Sequence, residues 1–196
     1  MLETTEKAKA NNLKNIMITN GFINKKPLQE LLNFMDAFNV DLKSFSENFY
    51  KNITSSSLNP IKETLKTIRN SGKHLEITNL IIPTLNDDNF FFEEMIQWIK
   101  NELGENTVLH LSKYFPNYKM KISETPDSTM NNLFHRAKNH LKYVYLGNMF
   151  STEGKDTYCA NCGKTAIRRN GYQTEITALI EGSCKYCGNK ILNHYL

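Results

Sequence analysis

Apolar residues in this chain gather in short runs separated by longer amphipathic stretches. The runs are "NIMIT" (15–19), "AFNVDL" (37–42), "LEITNLII" (75–82), "TVLHLS" (107–112) and "YVYLG" (143–147). Each has the length and β-branched content of a strand. They start about 22 to 38 residues apart, the repeat expected when a helix connects one strand to the next. The intervening helices carry their own signals. Pro27 opens "PLQELLNFM". Asn59 is placed to cap "PIKETLKTIRNS", with Pro60 at the first helical position and Gly72 just past the end. Asp87 or Asp88 caps "NFFFEEMIQWIKNEL", which Gly104 closes. A helix before each strand predicts an α/β fold with a parallel, right-handed sheet.

The polar residues inside these runs are not scattered. In "FNVDLK", side chains two apart share a face, so Phe38, Val40 and Leu42 would face the covering helices while Asn39, Asp41 and Lys43 face a lumen or cleft. In parallel sheets and barrels the carboxyl ends of the strands build the site. The first strand runs into Thr19, Asn20 and Gly21, the third into Asn86 and Asp87, and the fifth into Gly147 and Asn148; the fourth carries His110, Ser112 and Lys113. Each has a plainer reading. Asp41 and Lys43 could be a structural ion pair, His110 a hydrogen-bonded core histidine, "TNG" a turn and "TLNDD" a helix cap. Recurrence on five strands favours a binding rim.

Composition narrows the class. The chain has 196 residues, 40% hydrophobic and 22% charged, with a net charge of +4 and a pI near 8.8. This is globular rather than disordered, and too mildly basic to imply nucleic acid. The first residues carry acids and no apolar core segment, and Pro83 interrupts the longest apolar run. The expectation is a cytoplasmic protein with no membrane partner. All four cysteines fall in two pairs, Cys159/Cys162 and Cys184/Cys187, spaced C-x2-C-x21-C-x2-C. That spacing suits a four-thiolate metal site, zinc as in zinc ribbons or iron as in rubredoxin, with a structural role because no coordination position is open. Between the pairs, "TAIRRNGYQTEITALIEG" reads as a hairpin turning at Asn170 and Gly171. The division expected is an α/β part over 1–150, a linker "STEGKDT", and a small four-cysteine, zinc-ribbon-like β domain within 151–196. Arg168, Arg169 and Tyr172 without an aromatic run give only a weak case for nucleic acid.

Taken in order, "MITNGFI", "DAFNVDLKSF", "HLEITNLIIPTLND", "LHLSKYFPNYKM", "KYVYLGN", "TYCANCG" and "IRRNGY" resemble the radical SAM enzyme of the AmmeMemoRadiSam group, mechanistically akin to the glycyl-radical-enzyme activases. The resemblance implies a partial (β/α) barrel with S-adenosylmethionine across the open carboxyl ends of the strands. It implies that Asn20 lies near this cofactor, that Asp41 and Lys43 form the Asp-x-Lys motif beside its methionine end, and that His110 lines the same site. The sequence also departs from the group. The CxxxCxxC loop that holds a [4Fe-4S] cluster is absent, as is the Gly-Gly-Glu strand end that binds the cofactor's amino group. Ser44 and Thr84 stand where glycine is expected, and "KILNHYL" lacks the glycine usual after its isoleucine. The cluster is therefore expected only through an N-terminal half, and this chain alone is not expected to generate a radical. Lacking its first barrel strands, the sheet should present an open edge at "NIMIT" to an N-terminal half-barrel partner. Two other readings are a module that binds protein or nucleic acid through its metal ribbon, and a nonfunctional gene remnant.

Overall fold

A computed structural model describes residues 1–191; the end of "KILNHYL", from residue 192 on, lies outside the described residues. The apolar runs form five parallel strands: β1 Ile16–Thr19, β2 Ala37–Asp41, β3 His74–Ile81, β4 Val108–Lys113 and β5 Val144–Gly147. They lie side by side in chain order, which is what one helical crossover per step produces. The crossovers carry helices α2 Lys25–Leu32, α3 Glu47–Phe49, α4 Leu58–Asn70, α5 Asn89–Trp98 and α6 Asp127–Lys138, and α1 Leu2–Ala10 precedes the first strand. Helices α3 and α5 each continue into a wider π turn, Tyr50–Thr54 and Ile99–Leu103. This is a parallel partial barrel, with one face packed on helices and the other open.

Parity along the strands decides which residue goes where. Phe38, Val40, Ile77, Ile81, Leu109 and Leu111 are all buried against Leu65, Ile68, Met95, Ile96 and Met130 of the helices. Full burial of each such side chain contributes about 1.5–3 kcal/mol. The alternate residues, Asn39, Asp41, Glu76, Thr78, His110 and Tyr145, are only half-buried and line the open face.

The helix starts depart from the sequence reading. α4 begins at Leu58, so Asn59 lies inside the helix and does not cap it. Ser57 is the extended residue before the helix, but its side chain does not cap it. The Leu58 N–H instead donates to the Glu47 carboxylate at 3.2 and 3.3 Å. Burial of Leu58 draws it into the helix, and Pro60 is tolerated there because the first N–H groups of a helix have no internal partner. α2 likewise starts two residues before Pro27. Asp88 rather than Asp87 caps α5, accepting from the N–H groups of Phe90 and Phe91. Gly72, just past α4, has a φ of +74°, as a helix-ending glycine should.

The C-terminal part is all β. Strands β6 Thr157–Tyr158, β7 Thr165–Asn170 and β8 Gln173–Ile176 form an antiparallel sheet, and β9 Leu179–Ile180 pairs with β10 Ser183–Cys184. The β7–β8 hairpin turns through Gly171 and Tyr172, with Asn170 opposite Gln173. The stretch read as a linker is bound back onto the sheet, since Leu146 N–H donates to the Gly154 carbonyl at 2.9 Å. No helix among the described residues is long and apolar enough to cross a membrane.

Candidate functional site

At the carboxyl end of β2, Lys43 Nζ donates to Asp41 Oδ2 at 2.9 Å, with about a third of each side chain exposed. The backbone there is held from two sides. Lys43 N–H donates to the Tyr50 hydroxyl at 3.0 Å, and the Asn86 amide donates to the Lys43 and Leu80 carbonyls. Burial pushes the Tyr50 phenol up to about 12, so it stays neutral. Asn86, read from the sequence as a site residue, is thus a brace: its Oδ1 also accepts from Ile82 N–H at 2.6 Å. The result is an acid and a base of fixed position on a rigid strand end.

The neighbouring rim residues are distributed as follows. Thr19 pairs with Val40, so Asn20 follows at the level of Asp41; its Oδ1 accepts from Phe22 N–H at 3.0 Å, closing the turn. Gly21 has a φ of +72°, and a Cβ there would lie 2.8 Å from Val40 Cγ1. Asp41 pairs with Thr78 and Thr78 with His110, so His110 stands on the same face, two strands from Asp41. Asn148 donates to Ser112 Oγ at 2.9 Å. Lys113 does not join the rim. Its parity turns it to the helix side, where it pairs with Asp127 at 2.8 Å and Glu124 at 3.4 Å.

From His110 a cluster runs deeper on the open face to Glu76 and His74, neither of which the sequence reading singled out. Glu76 accepts from His110 Nε2 at 2.8 Å through one carboxylate oxygen and from His74 Nε2 at 3.0 Å through the other. Burial works against its charge, yet the hydrogen bonds from His110 and His74 outweigh it and hold the carboxyl well below the usual range. The His110 ring stacks on Tyr145 with centroids 5.4 Å apart. Tyr145 shares a hydrogen bond of 2.7 Å with Thr157 Oγ1, and the Arg169 guanidinium sits 5.4 Å from its ring centroid. Burial raises the Tyr145 phenol. The alternation of "HLEIT" puts His74, Glu76 and Thr78 on one face, and that was the available signal.

The four cysteines converge. Their sulfurs all lie within 4.8 Å of one another, with Cys159–Cys187 and Cys162–Cys184 each 3.6 Å apart. A tetrahedral ion with metal–sulfur bonds of about 2.3 Å needs sulfur–sulfur edges of about 3.8 Å. The separations fit such an ion and are far too long for disulfides. Each pair closes the same knuckle, Gly163 N–H to the Cys159 carbonyl and Gly188 N–H to the Cys184 carbonyl, both at 2.8 Å. The Asn161 side chain and the Asn189 backbone pull the Cys187 thiol down to about 6, while burial and the neighbouring sulfurs push the Cys162 thiol up; a bound cation would favour the thiolate at all four. These residues could hold zinc or iron.

The radical SAM superfamily profile matches residues 1–99, which is α1 through the end of α5. The chain belongs to the radical SAM superfamily. An uncharacterised protein of Methanocaldococcus jannaschii is 41% identical over 197 residues, covering 97% of this chain and 58% of that protein. The chain therefore spans a little over half the length of the curated relative it matches. Among solved structures it is similar to a domain of pyruvate-formate lyase-activating enzyme from Bacteroides vulgatus, with a TM-score of 0.67 at 11% identity over 75% of this chain and 89% of that one. It is also similar to Streptococcus suis SuiB bound to S-adenosylmethionine, with a TM-score of 0.61 at 10% identity over 82% and 44%. At those identities the likeness is one of fold. As a radical SAM chain it has a fold that implies S-adenosylmethionine and an iron-sulfur cluster in general.

Proposed function

We propose that this radical SAM chain is of the AmmeMemoRadiSam, activase-like kind and contributes one wall of an S-adenosylmethionine site. The observation that carries the reading is the Asp41–Lys43 pair, fixed on the open face at the carboxyl end of β2. A bound methionine moiety presents an ammonium and a carboxylate. Asp41 would receive the first and Lys43 the second, each giving up its present partner for one on the ligand. Asn20 and His110, at the same level of the sheet, would line the two sides.

The donor set does not fit the iron-sulfur cluster. All four cysteines of the sequence converge on one tetrahedral cage, which leaves no three thiolates for a [4Fe-4S] centre. No step through that centre is derived from these residues. The thiolates would come from another polypeptide segment carrying CxxxCxxC, an N-terminal half-barrel partner. The four-cysteine cage would be a structural zinc or iron site stapling a ribbon over 151–196, beside a partial barrel over 1–150. The rival reading, a ribbon that binds nucleic acid, is weakened because Arg169 is already committed to Lys155, Thr157 and Tyr145.

The test is anaerobic reconstitution. The chain is mixed with a companion polypeptide bearing CxxxCxxC, together with iron, sulfide and S-adenosylmethionine. Release of 5′-deoxyadenosine from the mixture, and from neither chain alone, is expected. Release from the companion alone at the rate of the mixture would refute the proposed wall.

A further inference from the structure

A sizeable cavity lies away from the carboxyl rim. A cleft of about 1430 Å³ opens at the amino ends of β2, β3 and β4, floored by Glu76, His110 and Tyr145 and covered on one side by Thr157, Ile167 and Arg169 of the C-terminal sheets. The amino end of a parallel barrel ordinarily carries stability rather than chemistry, so its lining needs another account.

That lining is strongly asymmetric in charge. Among the described residues six cations, Lys14, Arg69, Lys73, Lys155, Arg169 and Lys190, meet two carboxylates, Asp36 and Glu76. The surplus of four equals the net charge of the whole chain, so the rest of the surface is balanced and the excess is concentrated here. Neither carboxylate offsets it freely. Glu76 is held between two imidazoles, and Asp36 faces Lys14 at 3.8 Å and accepts from Asn15 N–H. Arg69 and Lys73 form no ion pair among the described residues. Cations gathered around a concave, partly desolvated wall focus a positive potential.

We propose that this cleft binds a small organic anion bearing phosphate or carboxylate groups. Arg69 and Lys73 hold the anion, with the His110–Tyr145 stack as an apolar and polar floor and Arg169, already bonded to the Lys155 carbonyl and Thr157, forming the wall toward the ribbon. The volume far exceeds what a single inorganic ion needs and leaves room for an organic ligand. The cleft meets the proposed cofactor rim at His110, but its cations Lys14, Arg69 and Lys73 stand at the amino ends of the strands, away from Asp41 and Lys43. It stands or falls independently of that reading.

The experiment is calorimetric titration of the metal-loaded full chain with inorganic pyrophosphate and, separately, with citrate, at constant ionic strength. Saturable binding near one per chain is expected for at least one of them. A response to pyrophosphate alone identifies a phosphate-bearing ligand, and one to citrate alone a carboxylate-bearing ligand. Arg69→Gln with Lys73→Gln should weaken binding at least tenfold, because each charge-assisted bond is among the stronger polar contacts. Lys51→Gln, on the remote π turn after α3, should leave it unchanged. Absence of saturable binding to either anion would overturn the proposal, as would an equal loss from the Lys51 variant.

Discussion

Glu76→Gln tests whether the carboxylate between His74 and His110 stabilises the open face of the sheet. The wild-type side chain accepts hydrogen bonds at 2.8 and 3.0 Å and is 32% exposed. Each bond to a charged group is worth about 1.5–3 kcal/mol, but glutamine keeps one acceptor oxygen and water screens part of the rest, so a loss of about 2 kcal/mol is expected. Urea unfolding followed by circular dichroism should then show a midpoint lower by roughly 0.7–1 M for a chain of this size. The pH dependence has a definite sign. The folded carboxyl is depressed below its unfolded value of about 4.3. Its contribution is therefore complete above about pH 4.3 and is lost as pH falls toward the folded value. The gap between wild type and variant should hold level from pH 7 to about 5 and narrow below about pH 4. Equal midpoints at pH 7, or a gap that persists undiminished at pH 3, would refute the reasoning.

Other perturbations address separate parts of the molecule. Lys43→Met should weaken retention of S-adenosylmethionine in the reconstituted pair without changing thermal unfolding, as read by equilibrium dialysis; unchanged retention would remove Lys43 from the site. Cys162→Ser should lower bound zinc or iron from about one per chain to near none by elemental analysis, and speed amide exchange in residues 157–191 while sparing the parallel sheet. Thr84→Gly should raise stability by about 0.5–1 kcal/mol, because threonine there has a φ of +66° and the relief exceeds the added freedom of the unfolded chain. Gly21→Ala should cost about 2–4 kcal/mol in urea unfolding, from its positive φ and from contact with Val40 and Ile61.

The strands were legible because each is a compact apolar run with its own flanking breaks, and the cysteine cage because its ligands sit at short, regular spacing. Thr84 is instructive: glycine was expected there from resemblance, and the backbone does adopt the conformation that favours glycine. Other features depend on contacts that no local pattern carries. Glu76 meets His110 across 34 residues, and its own strand reads as an ordinary alternation of apolar and polar positions. Lys113 was grouped with the rim because it is polar and near a strand end, whereas parity of the strand turns it to Asp127. The start of α4 was misplaced because the carboxylate that caps it, Glu47, lies 11 residues upstream. Arg169 was weighed from the sequence as a nucleic-acid contact, yet it is engaged with Tyr145 from the sheet.

That last contact has a practical consequence. A shortened protein ending near residue 150 would keep every parallel strand, but it would lose the Thr157 partner of the Tyr145 hydroxyl, the guanidinium above that ring and the Gly154 carbonyl that receives Leu146. The last strand would be left with a wet, loosened outer side, and the imidazole stacked on it would lose its support. Chelating the ion from the cysteine cage should act on the same contacts from a distance, so metal loading belongs among the controlled variables in any measurement made on His110.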